Sequence, residues 1–402
     1  MTPLRQSPDE AVSNYVLVLF DSDAYMEVMT VALRKSPDSE SFPHEAGGIA
    51  FGRRHGRGAQ TNRSGRFEPT AYEPVDDGWD SLTDLDALVT EVQEVPARRI
   101  ITKNTSPDIS FDRSINPYRG CEHGCIYCYA RPTHAFLGLS PGLDFETKLF
   151  AKTNAAQALE RELADPKYRP QMIAIGSNTD PYQPIERRYR IMRRVLEVLS
   201  AANHPVGIVT KSALVLRDLD ILSSMAERDL VKVALSVTTL DPKLARAMEP
   251  RASTPDKRIE AVEKLRAAGV PTSVMVAPVI PGLTDAELDR ILERAASAGA
   301  TEAGYVLLRL PLEIGDLFVE WLKANCPDRA DRVLSLMRQT RGGKLYDAKW
   351  QKRLEGDGPY AWMIGRRFEM AAARLGLNTR QTELRTDLFT PPALPGQQLR
   401  LL

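Results

Sequence analysis

Between residues 96 and 315, short apolar runs recur at the spacing of alternating strands and helices. Met172 to Ile175, Val206 to Val209, Val231 to Val237, Ser273 to Ala277 and Tyr305 to Leu308 read as strands buried on both faces of a parallel sheet. Helical stripes stand between them. Asn154 opens one, with Leu159 and Leu163 on a common face, and Ile191, Val195 and Leu199 form the next. Thr254 followed by Pro255 starts a third, with Ile259, Val262 and Leu265 inward and Gly269 as its stop. Thr284 and Glu287 have capping-box spacing for a further helix ending near Gly299. With a first strand near Ser114 to Pro117, the pattern predicts an α/β fold of about six βα units, fewer than the eight of a closed barrel.

The flanks read differently. Residues 1–95 form an N-terminal extension of mixed acidic and turn-rich sequence, expected to be partly disordered. Within it, Gly47 to Phe67 holds six Gly and five Arg with almost no core-forming side chains, which predicts a solvated linker. The functional alternative makes Arg53, Arg54, Arg57, Arg63 and Arg66 a phosphate-contacting arm. Residues 316–402 read as a helical extension with Trp321, Leu322, Val333, Leu336 and Met337 as core contacts. There, Arg338, Arg341, Lys344, Lys349, Lys352 and Arg353 make a basic cluster, either a phosphate or nucleic-acid contact or a solvated surface. A helix through Tyr360, Met363, Ile364, Phe368 and Ala371 is amphipathic and is expected across the open edge or mouth of the sheet.

Composition bounds the function classes. A chain of 402 residues with 43% hydrophobic content can bury a large core. No apolar run reaches the roughly 18 residues of a membrane span, and Tyr15 to Phe20 is too short for a secretion signal, so a soluble, cytoplasmic protein is expected. The formal charge is zero, so no global field draws the chain to nucleic acid, and local basic patches keep that partner open.

The chemistry concentrates in Cys121, Cys125 and Cys128, set as C-x-x-x-C-x-x-C with Tyr127 before the third. Thiolates at that spacing can take three irons of one four-iron cluster, and no fourth Cys stands nearby to close the last iron. The alternative is a zinc knot closed by His123 or His134. Cys326 reads as an ordinary thiol at a helix end. The motif resembles that of the radical SAM superfamily. The resemblance implies an open (β/α)6, TIM-like barrel, a 4Fe-4S cluster and S-adenosyl-L-methionine (SAM). It also implies reductive cleavage of SAM to a 5′-deoxyadenosyl radical, hydrogen abstraction from a substrate, and an electron donor such as flavodoxin or ferredoxin.

In a βα barrel, ligands sit at the carboxyl ends of the strands. After the second strand comes the turn Gly176 to Glu186, where Ser177, Asn178, Thr179 and Asp180 are candidate cofactor contacts. The resemblance implies that this turn grips the amino group of SAM. The alternative is that Thr179 or Asp180 caps the following helix. Lys211 and Ser212 follow the third strand, and Ser236 and Thr238 the fourth. Lys211 is a candidate for the cofactor carboxylate, the hydroxyls for the ribose, and Arg251 for a carboxylate fork. Tyr127 joins this set as the aromatic of the motif. Ala277 to Gly282 and Leu308 to Leu310 are expected against a flat ligand such as adenine.

Ser114 to His134, the Thr179 to Pro184 turn and the Arg251 region together resemble a bacterial branch similar to spore photoproduct lyase, labelled DNA repair photolyase-like. The resemblance runs from about Ala97 to Asp357. That relative carries a hydrogen-donating cysteine in the turn after its second strand, where this chain has Ser177 or Asn178. Cys326 and Tyr182 are the substitutes to consider. The expectation is therefore a radical SAM enzyme of unidentified substrate. Its rivals are a nucleic-acid repair or modification protein and a noncatalytic zinc or iron-sulfur module.

Overall fold

The computed structural model describes residues 56–68 and 88–393, so Tyr15 to Phe20, Arg53 and Arg54 lie outside the described residues. Six parallel strands form the central sheet: β1 (Arg113–Ile115), β2 (Ile173–Ile175), β3 (Val206–Thr210), β4 (Val231–Ser236), β5 (Thr272–Val279) and β6 (Glu302–Leu307). They pair in sequence order, and a short antiparallel strand, Ile101–Lys103, lies on the outer edge of β1. β6 and β1 are not paired, so the sheet is an open barrel. The predicted strands coincide with β1 to β6 to within a few residues, because their continuous Val and Ile runs are buried on both faces.

The inner face carries Ala174, Val209, Ala234, Met275, Ala277 and Val306. The outer face packs Ile175, Ile208, Val233 and Val274 against the helices α1 (Ala155–Leu163), α2 (Ile191–Ala201), α3 (Leu219–Ala226), α4 (Pro255–Ala267) and α5 (Leu288–Ser297). Leu159, Val195, Leu222, Val262 and Ile291 are fully buried there, each contributing roughly 1.5–3 kcal/mol.

The predicted helix boundaries hold at α4, which has Thr254 at its N-cap and Pro255 in its first turn, and Gly269 follows it at φ +78°. The capping box does not form. Thr284 Oγ accepts from the backbone of Ile280, while the Glu287 carboxylate takes the Thr239 hydroxyl and the Leu240 amide, so both side chains serve long-range contacts. Asn154 stands at the N-cap of α1, but its carboxamide binds both backbone groups of Ala97.

The Gly/Arg-rich stretch departs from its solvated reading at residues 56–68, which are strapped to the core. The Gly58 and Ala59 amides donate to the buried Glu146 carboxylate at 2.9 and 2.8 Å, and Arg66 pairs with Glu313 at 2.7 Å. Gly58 is required there, since a Cβ would stand 1.8 Å from the Gly124 carbonyl. Arg57 is spent on the Glu146 and Leu88 carbonyls, so the described part of the arm is not a free row of cations.

Beyond β6, α6 (Ile314–Asn325) and α7 (Pro327–Gln339) bury Trp321, Leu322, Val333 and Met337 as expected, while Leu336 is only partly buried. Two of the six basic residues of the tail are drawn into the interior, while Arg338, Lys344, Lys349 and Lys352 stay exposed. Arg353 is buried in an ion pair with Asp108 at 2.5 Å, and Arg341 donates to the carbonyls of Leu307 and Leu308 at the end of β6. This segment bridges the gap between the last strand and the chain just before the first, and Leu354 adds to the inner core with Phe111. The predicted amphipathic helix is α8 (Gly358–Arg374), which lies on the open edge rather than over the mouth, with Phe368 against Tyr305 at 4.9 Å. Ile364 and Ala371 are buried with it and Met363 is exposed. Asn378 then caps the free edge of β6, giving both its amide groups to the backbone of Ala303 at 2.8 and 3.0 Å. No helix among the described residues is long and apolar enough to cross a membrane.

Candidate active site at the carboxyl ends of the strands

The cysteine loop is an excursion between two paired strands, Tyr118–Arg119 and Lys148–Ala151. At its entrance Gly120 has φ +73°, and a Cβ there would come within 2.6 Å of Leu149 and 2.9 Å of His134. Arg131, fully buried, ties the loop into a fixed shape: it donates to the carbonyls of Cys125, Gly142 and Gly124 and pairs with Glu146 at 2.5 Å. One guanidinium thus satisfies backbone acceptors that the tight turns leave unpaired.

The three thiols line one open cavity. Burial pushes all three upward in pKa, reinforced at Cys121 by Asp180 and at Cys125 by Glu249. Such thiols give up their protons when a positively charged metal takes its place. Among the described residues, no three His, Cys, Asp or Glu side chains are placed to share a single ion. Of the two histidines of the zinc-knot reading, His134 meets the Lys148 carbonyl through Nε2, while His123 lines the cavity with its Nδ1 3.3 Å from the Asp180 carboxylate.

Of the ten predicted cofactor contacts, Tyr127, Asn178, Asp180, Lys211 and Ser236 line the cavity, whereas Ser177, Thr179, Ser212, Thr238 and Arg251 do not. Thr179 donates to the Tyr118 carbonyl, Ser177 takes a hydrogen bond from Asn116, and Ser212 caps the turn after β3. Arg251 is drawn to Glu122 at 2.6 Å, outside the cavity.

Asp180 is present but already committed. Its carboxylate accepts from the Tyr182 amide, the Thr210 hydroxyl and the Lys211 amide at 2.9, 2.7 and 2.7 Å, and faces His123. Burial alone would raise its pKa, yet His123 and these donors outweigh that and hold it below the usual carboxylate range. With about four lone-pair sites on a carboxylate, little is left for an incoming ammonium. Asp180 caps its own turn and clamps the ends of β2 and β3 together. Asn178 is the contrary case, since its carboxamide oxygen is buried at the cavity with no donor.

Lys211 is also committed. Its ammonium donates to Ser236 at 2.6 Å and the Ala277 carbonyl at 2.9 Å, and stands 3.2 Å from Glu249. Burial, helped by Arg258, pulls its pKa down to about 7. Glu249 is the hub that the sequence reading missed: it takes Tyr127, Thr238, Lys211 and Arg258 at once, with the Tyr127 and Arg258 contacts very short. Gln183 is a second such residue. It binds the Glu122 amide and the Gly120 carbonyl, locking the turn after β2 onto the cysteine loop. Tyr182, by contrast, is fully buried against Asp218, and Cys326 lines a different cavity, so neither substitute hydrogen donor reaches this site. The opposite wall is apolar, made by Val209, Ala277, Pro278, Val306, Leu307 and Leu308, and ends in Arg309.

The Radical SAM superfamily family model matches residues 115–295. An uncharacterized protein of Mycobacterium bovis is 41% identical over 233 residues, which are 58% of this chain and 68% of that one. The chain belongs to the Radical SAM superfamily. A Radical SAM Nalpha-GlyT isomerase of Pseudomonas phage M6 is 26% identical over 47% of this chain and 39% of its own length. The solved structure of spore photoproduct lyase complexed with dinucleoside spore photoproduct has TM-score 0.51 at 15% identity, covering 71% of this chain and 80% of that one, a likeness of fold. This radical SAM enzyme therefore works with a 4Fe-4S cluster and SAM. The donor set fits them: three thiols on one cavity, beside an apolar wall and an unpartnered amide oxygen.

Proposed function

We propose that Cys121, Cys125 and Cys128 hold the 4Fe-4S cluster and that SAM and a substrate occupy the cavity above them. When bound, the reduced cluster would supply one electron to the sulfonium of SAM, giving methionine and a 5′-deoxyadenosyl radical that would take a hydrogen atom from the substrate. Asn178 Oδ1 offers the free acceptor for an ammonium at the turn after β2. Val306, Leu307, Pro278 and Ala277 offer a dry face for an adenine and keep water from the reacting atoms. Asp180, Gln183, Arg131 and Glu249 are positioning residues that hold the turn, the loop and Lys211 in register. A flavodoxin- or ferredoxin-type donor supplies the electron to the cluster. The observation that carries this reading is the three thiols lining one cavity with the carboxyl ends of the strands.

A reading in which the basic tail grips a nucleic-acid backbone is weakened, because Arg341 and Arg353 are buried and engaged inside the fold. Nucleic acid is the alternative substrate class, in keeping with the dinucleoside spore photoproduct held in the structure of spore photoproduct lyase. The ligand assignment is tested by anaerobic reconstitution with iron and sulfide counting and electron paramagnetic resonance. Roughly four irons per chain and a signal altered by SAM are expected. Alanine at any of the three cysteines should remove both, and a full iron complement in all three variants would refute it.

A further inference from the structure

Most buried cations in this protein come with counter-charges, although Arg341 has only carbonyl acceptors. Arg131 has Glu146, Arg258 has Glu249, Arg353 has Asp108 and Lys211 has Glu249. Arg309 breaks the pattern. It stands just beyond β6, lines the cavity and is 6% exposed. Its guanidinium lies 4.8 Å from the centroid of the Tyr129 ring, which fixes its plane. Its Nε and Nη1 are buried without a hydrogen-bond partner, and among the described residues it forms no ion pair.

A second buried cation adds to the cost. Arg341 is pulled down in pKa to about 10 by burial and, next, by the like charge of Arg309. Leaving a desolvated guanidinium unpaired beside another cation is costly, and an anionic ligand would relieve both.

We propose that Arg309 is a substrate-recognition residue and that the substrate carries an oxyanion, a carboxylate or a phosphate, which pairs with it. This rests on the reading of the cavity as the reaction chamber. The partner chemistry follows from the guanidinium itself, whose N–H groups bind oxyanions with charge-assisted hydrogen bonds.

The test uses the cluster-reconstituted full chain with SAM bound. Sodium phosphate and sodium acetate are titrated separately against sodium chloride at matched ionic strength, with melting temperature as readout. Phosphate or acetate should raise the melting temperature of the wild type, and which of them does so assigns the substrate group. Arg309→Gln should weaken that binding about 10- to 100-fold, and Arg309→Lys should retain part of it. Arg309→Gln should also bind SAM as the wild type does and melt no lower in anion-free buffer.

The proposal is overturned if neither oxyanion acts on the wild type, or if Arg309→Gln responds equally. Marked destabilisation of anion-free Arg309→Gln also overturns it, by making the residue structural. So does a tenfold loss of SAM affinity with binding of decarboxylated SAM unchanged, which would assign Arg309 to the cofactor carboxylate. Failure of the wild type to bind SAM at all would instead refute the proposed function.

Discussion

Lys211 and Arg309 face one cavity from the ends of β3 and β6, and they are buried in opposite ways. Around Lys211 every polar atom is spoken for, through Ser236, Thr238, Ala277 and Glu249, with Arg258 closing the knot. Around Arg309 two nitrogens have no partner at all. A buried charge with its counter-charge in place is architecture, because removing either member strands the other. A buried charge without one is held for something that arrives. The same contrast separates Asp180, whose carboxylate is filled by neighbours, from Asn178, whose amide oxygen is empty.

The comparison makes its largest prediction at Glu249. Glu249→Ala leaves Arg258 and Lys211 without their counter-charge, and should cost about 3–5 kcal/mol in urea unfolding. Equal losses in Glu249→Ala and Arg309→Gln would erase the distinction between the two sides.

Histidines show a third way to bury an ionisable group, by giving up the charge. Burial lowers the pKa of His134, under the cysteine loop, and of His204, against Tyr168 and Phe389, each to about 4. Their folded values lie below the unfolded value of 6.5, so the unfolded chain binds these protons more readily. Stability should be full above pH 6.5 and drain as pH falls toward 4, by on the order of 2 kcal/mol for each histidine. Denaturant midpoints across that range should show the slope, and His204→Asn should remove roughly half of it.

A smaller effect is expected for Lys211→Met. Glu249 keeps Arg258, so the variant should lose about 1–2 kcal/mol, with the Tyr127 contact retained. A loss as large as that of Glu249→Ala would mean that Lys211, not Arg258, holds the knot together. Arg309→Gln, at the bottom of the series, should lose nothing.

The strands and the cysteine loop were legible because their signals are local. Continuous apolar runs marked β2 to β6, and C-x-x-x-C-x-x-C marked the loop without reference to anything distant. The polar residues after the strands were legible as a set but not in their roles. Asp180 looks like a ligand in sequence, and only the fold brings Thr210, Lys211 and His123 onto its oxygens. Thr284 and Glu287 have capping-box spacing, yet Thr239 and Leu240 compete successfully for the carboxylate. The tail misled for the same reason. Arg341 and Arg353 look solvated beside two glycines, and nothing local says that one will meet Asp108 and the other the end of β6. Arg309 was assigned to a flat wall, and its lack of a partner is a property of the packed cavity.

The most direct measurement of the central claim is the yield of 5′-deoxyadenosine from anaerobically reconstituted, reduced protein incubated with SAM. Wild type should form it and Cys125→Ala should not. Reduced wild-type protein with an intact cluster and bound SAM that leaves the SAM uncleaved, with or without oxyanion present, would contradict the account.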